Sequence, residues 1–113
     1  MPVNVRLLRL FGPVLVATGV LGLVLPARLS LMSGAVPYDV FHSVFGVIGT
    51  ALAFRGGERG SRAFNVAFGA ADLYQAVASR LAWFPIGLFH WTVYDDVVHV
   101  VLGLLLIGAG AFL

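Results

Sequence analysis

The sequence contains no cysteine and no lysine. Without thiols the chain can form neither a disulfide nor a thiolate metal centre nor an iron–sulfur cluster. Its seven basic residues are therefore all arginine, set against five acidic residues for a net charge of +2. They are scattered along the chain, so there is no basic tract of the kind that binds nucleic acid. Charge of either sign is scarce: 11% of the 113 residues are charged, where a soluble globular domain carries about 25%. No Ser-His-Asp or Cys-His set, phosphate-binding loop or dinucleotide fingerprint is present, which predicts a protein that is not an enzyme. What fills the chain is hydrocarbon, 60% hydrophobic residues with a mean hydropathy of +1.00. The expected class is an all-α integral membrane protein of one domain, residues 1–113, whose first partner is the lipid bilayer.

Four apolar runs of 17 to 21 residues, 5–25, 38–54, 63–81 and 93–113, each approach the roughly 20 residues that cross a hydrocarbon core as helix. Strand alternation is absent, and in lipid every backbone group must be satisfied within its own segment, so the runs are predicted to be helices. Pro26 ends the first, Pro37 opens the second, and the polar stretch RGGERGSR from Arg55 to Arg62 reads as the loop that closes it. The first run follows Arg6 and Arg9 like a signal peptide, but it is long for one and no A-x-A-like site follows, so it is read as a span.

Arginine counting sets the orientation. Arg6, Arg9, Arg55, Arg59 and Arg62 fall on one side and Arg28 and Arg80 on the other, which places both termini in the cytoplasm. The two outer connections, ARLSLMSGAV after Pro26 and the aromatic AWFPIGLFHWT from Ala82, are themselves apolar and are expected to lie along the interface. His90 belongs to that aromatic stretch as an interfacial side chain.

Sliding the chain over itself by 57 positions superposes Phe11 on Phe68, Gly12 on Gly69, Asp39 on Asp96, His42 on His99 and Gly46 on Gly103. With five acidic residues and three histidines in the whole chain, the Asp and His matches are costly coincidences. They predict two tandem hairpins, residues 1–56 and 57–113, related by a pseudo-twofold axis along the membrane normal. The fold expected is an antiparallel four-helix transmembrane bundle. Asp39, His42, Gly46, Gly49 and Ala53 share one face of the second helix, and Asp96, His99, Gly103 and Gly110 share the equivalent face of the fourth. Gly12, Gly19 and Gly22 on the first helix and Gly69, Asp72, Ala76 and Ser79 at the matching places on the third mark the faces of close helix approach.

Each repeat thus carries D-x-x-H-x-x-x-G near the outer end of its second helix. Ionisable groups inside a bilayer are costly and mark candidate sites. Three readings compete. In the first, Asp39–His99 and Asp96–His42, or the same-helix pairs, are hydrogen bonds that staple the hairpins together. In the second, Asp39, His42, Asp96 and His99 chelate one divalent metal, as carboxylate and imidazole three residues apart do in helical bundles. In the third, His42 and His99 are axial ligands of a haem b, with Gly46 and Gly103 giving room. The first reading needs no cofactor and is the primary one.

Asp72 stands apart, opposite Leu15 in the repeat and near the middle of the third helix. It either stays neutral, bonded to Tyr74, Gln75 or a water, or ends a proton relay that descends from the outer Asp/His cluster. It is expected several ångströms deeper than the two histidines, beyond direct contact. Asn65 is expected to bond to the second or fourth helix, and Arg80 to pair with Asp95.

With Asp39, His42 and Gly46 on one helix and Asp96, His99 and Gly103 on another, the chain resembles a family of small four-helix bacterial membrane proteins that share an Asn/Asp-x-x-His-x-x-x-Gly pattern and have no known activity. The resemblance covers nearly the whole length and implies residence in the bacterial cytoplasmic membrane. The function expected is that of a non-enzymatic accessory or scaffold subunit, self-associated or part of a larger membrane complex. The alternative is a metal- or haem-binding protein of electron or proton transfer, and a small transporter is a weaker third.

Overall fold

A computed structural model describes residues 2–26 and 32–113. Arg28 and most of the connection after Pro26 lie outside the described residues, so the expectations for that segment and its share of the arginine count are not addressed by it. The described residues are all helical or irregular: α1 Val3–Val24, α2 Val36–Arg55, α3 Gly57–Leu81, the one-turn α4 Ile86–Phe89, and α5 Val93–Phe112. α1, α2 and α5 are long and apolar enough to cross a membrane. α3 is longer, at 25 residues, but carries Glu58, Arg59, Arg62, Asp72 and Arg80, which lower its hydropathy.

Polarity is turned inward. Asn4, Asp39, His42, Ser61, Asn65, Asp72, Gln75, Asp95, Asp96 and His99 are buried, while Leu10, Val24, Val101, Leu104 and Phe112 are exposed, Phe112 by 85%. In water that distribution would be unfavourable, because apolar surface is hydrated and buried polar groups lose their solvent. In hydrocarbon it is the stable one, since polar groups then find partners only inside the protein. The chain reads as a membrane protein from this distribution and the three spans together.

Two helix pairs make the main contacts, α1 with α2 and α3 with α5, and an aromatic and aliphatic core of Leu8, Phe11, Leu15, Ala53, Phe64, Phe68 and Leu106 joins them. Glycine permits the close approach within each pair. A Cβ added at Gly12 would lie 2.9 Å from the Thr50 nitrogen, and one at Gly69 would lie 3.0 Å from the Ile107 nitrogen. Likewise Gly46 faces Val16 and Gly103 faces Leu73, where a Cβ would come within 2.6 Å and 2.7 Å of the facing atoms. The Gly12–Thr50 and Gly46–Val16 contacts thus recur 57 residues on as Gly69–Ile107 and Gly103–Leu73.

One local expectation is corrected. The stretch from Arg55 to Arg62 is not a loop: α2 ends at Arg55 and α3 begins at Gly57, leaving Gly56 alone between them. Gly57 adopts φ +66°, which lets the chain reverse in one step, and the Glu58–Arg62 ion pair at 2.9 Å supports the first turn from i to i+4. A polar helical turn is stable there because it needs no hydrocarbon around it. The aromatic connection after α3 is compact, with Ala82 in the left-handed conformation closing α3, α4 forming one turn, and Thr92 and Asp95 forming a capping box at the start of α5. Trp83, Phe84 and Leu88 are exposed on it.

Candidate functional site

Both D-x-x-H-x-x-x-G motifs lie at the start of their helices, at the same end of the molecule, which also carries residues 32–35 and 82–92 and is here called the loop end. Pro37 in the first turn of α2 and the Thr92 cap of α5 fix where those helices start, and the i, i+3 spacing then turns Asp39 with His42 and Asp96 with His99 toward the interior. All four are buried.

Their partners differ from those expected. No Asp–His hydrogen bond forms among the described residues. Tyr38, one position before Asp39, reaches across instead: its Oη lies 2.7 Å from His99 Nε2, and its ring packs on His42 with centroids 4.1 Å apart. Asp96 accepts from Arg80 Nη2 at 2.6 Å, so the partner of Arg80 is Asp96 and not Asp95. Asp95 is the third helical residue of the α5 capping box, accepting from the Thr92 backbone N–H, and its Oδ2 also accepts from the Ser33 backbone N–H at 2.8 Å, while Ser33 Oγ donates to the Phe89 carbonyl. The physical reason is reach. An Asp side chain is short and stays near its own helix, whereas tyrosine spans the gap between helices and keeps its hydroxyl at the far end.

Asp39, His42, Asp96 and His99 do not converge: among the described residues no three His, Asp or Glu side chains come together as metal ligands. A haem held between His42 and His99 would have to displace Tyr38, which contacts both imidazoles. Asp39 keeps an Oδ2 without a partner among the described residues, and Gly22 of α1 leaves the space its carboxylate occupies.

Asp72 is 3% exposed and lines a cavity of about 150 Å³ together with His42 and His99. The expected partners are elsewhere: Tyr74 Oη donates to the Phe84 carbonyl and Gln75 Oε1 accepts from Trp91 Nε1. Asp72 Oδ2, His42 Nδ1 and His99 Nδ1 have no hydrogen-bond partner among the described residues. A second cavity of about 230 Å³ toward the loop end is lined by Asp39 and Tyr38 and shares Thr18, Met32 and His42 with the first.

At the opposite end Asn65 bonds neither to α2 nor to α5. Its Nδ2 donates to Asn4 Oδ1 at 3.1 Å, and Asn4 Nδ2 donates to the Ala109 carbonyl at 3.1 Å, which ties α3, α1 and α5 together. Asn4 and Tyr38 stand at the edges of apolar runs, and nothing in the spacing pairs them with residues 61 positions away. His90 is exposed in the aromatic connection, at positive φ.

No family model matches the chain, and neither a curated protein nor a solved structure matches it.

Proposed function

We propose that this is a small non-enzymatic membrane protein, an accessory or scaffold subunit built as a four-helix bundle of two tandem hairpins about a pseudo-twofold axis. In this reading α3 crosses the membrane with the other three helices, both termini face the cytoplasm, and the membrane is the bacterial cytoplasmic one. The buried polar residues join one hairpin to the other. The observation that carries this is the Tyr38–His99 hydrogen bond at 2.7 Å, which runs from the first half of the chain to the second in a buried position. Ser33 to Asp95 and Asn65 to Asn4 cross between the same halves at the two ends. The repeated glycine contacts support the symmetry, and the likeness to small four-helix bacterial membrane proteins fits the same architecture.

Such bonds average about 0.6 kcal/mol each in membranes, modest singly and useful in number because lipid gives no hydrophobic drive between helices. The outward faces of α1 and α5, bearing Leu10, Val14, Val97, Val101 and Leu104, are then free for lipid or for helices of a partner. The test is a photo-crosslinking residue at Val101 in native membranes. An adduct of discrete mass, a dimer or a larger complex, is the expected result; adducts with lipid alone contradict the subunit reading.

A further inference from the structure

The cavity about Asp72 is built from three pairs of positions 57 residues apart: Phe11 with Phe68, His42 with His99, and Leu15 with Asp72. In the first two pairs the residues are identical. The third breaks the match, placing an aliphatic side chain from α1 and a carboxylate from α3 around one space. That space has mostly apolar walls, with the Asp72 carboxyl as its one acidic group beside the imidazoles of His42 and His99.

No ion pair among the described residues involves Asp72; Arg62 pairs with Glu58 and Arg80 with Asp96. A carboxylate 97% buried without a cationic partner is a costly arrangement that a bound cation relieves. Its Oδ2 has no hydrogen-bond partner among the described residues, and neither has Nδ1 of His42 or of His99. The volume, about 150 Å³, matches that of engineered apolar cavities that take up a benzene-sized guest. Phe11 and Phe68, with ring centroids 5.8 Å apart, line the cavity and supply aromatic surface on which a hydrocarbon body can rest.

From these features we infer that the cavity binds a small organic ammonium ion. Its cationic head pairs with Asp72 and its short hydrocarbon body rests against Leu15, Phe11 and Phe68. The larger cavity toward the loop end, which shares Thr18 and His42, is the approach. This site is independent of the scaffold role proposed above.

The experiment is titration of n-butylammonium and cyclohexylammonium into the full chain purified in mild detergent, followed by ligand-observed NMR, with n-butanol as the neutral counterpart. The expected result is saturable binding of an ammonium ion at one per chain, at least about tenfold weaker in Asp72→Asn, the loss of one charge-assisted hydrogen bond. Val98→Phe, which fills the cavity and keeps the carboxylate, weakens binding as well. Equal affinity in wild type and Asp72→Asn, n-butanol bound as tightly as the ammonium, or no saturable binding to wild type would each overturn the inference. Should Asp72→Asn fail to fold by circular dichroism, Val98→Phe decides alone: unchanged binding there puts the ammonium elsewhere and overturns it.

Discussion

Gly12 of α1 and Thr50 of α2 approach so closely that a single added methyl at Gly12 would lie 2.9 Å from the Thr50 backbone nitrogen. The neighbour is main chain, so it can give way only if the helices separate. Gly12→Ala is therefore expected to destabilise the protein by about 1–3 kcal/mol, the usual cost of overpacking. Gly108, where an added Cβ meets nothing within 4 Å, is the control. Gly108→Ala should be neutral or gain up to about 1 kcal/mol from helix propensity. Thermal unfolding of both variants in one detergent checks the contrast.

At the end opposite the loops, Asn65→Ala removes the donor to Asn4 and leaves Asn4 Oδ1 buried without it. The expected loss is about 1 kcal/mol or more, larger than the membrane average because a group is left unsatisfied as well as a bond removed. Asn4→Ala/Asn65→Ala together should cost less than the sum of the single changes, measured by the same melting experiment.

Asp95 completes the capping box of α5 with Thr92 and also holds the Ser33 backbone. Asp95→Ala should cost about 0.5–1.5 kcal/mol for the lost bond from the Thr92 backbone N–H alone. It should also raise hydrogen exchange at the Ser33 amide, a change that a pure capping role would not produce. Unaltered exchange there would remove Asp95 from the joint between the halves.

Arg80→Ala tests the reverse case. The arginine side chain is 63% exposed and its pair with Asp96 is partly solvated, so the expected loss is under about 1 kcal/mol despite the short 2.6 Å contact. A loss well above that would place Arg80 in a less solvated setting than its exposure indicates.

The buried face of α2 was legible from spacing alone, because Asp39, His42, Gly46, Gly49 and Ala53 recur at helical intervals and all of them are buried. The glycines that face Thr50, Val16, Ile107 and Leu73 were legible as small residues in helices that must pack. The partners of the polar groups were not. Periodicity says which side of a helix a residue occupies, and it is silent on which long side chain reaches across, so Tyr38 as the partner of His99 and Asn4 as the partner of Asn65 escaped it. The turn between α2 and α3 was misread for a different reason: glycine and charge signal a loop in water-soluble chains, yet Glu58, Arg59 and Arg62 are good helix formers once Gly57 has made the reversal.

The most direct test of a polar joint between the two halves is a double-mutant cycle on Tyr38→Phe and His99→Ala, read by thermal unfolding of the purified protein. The account predicts that each single change is destabilising and that the two are coupled by about 0.6 kcal/mol or more, with the double variant still helical. Strictly additive losses would contradict it, showing that Tyr38 and His99 contribute separately and that the halves are held together by other contacts.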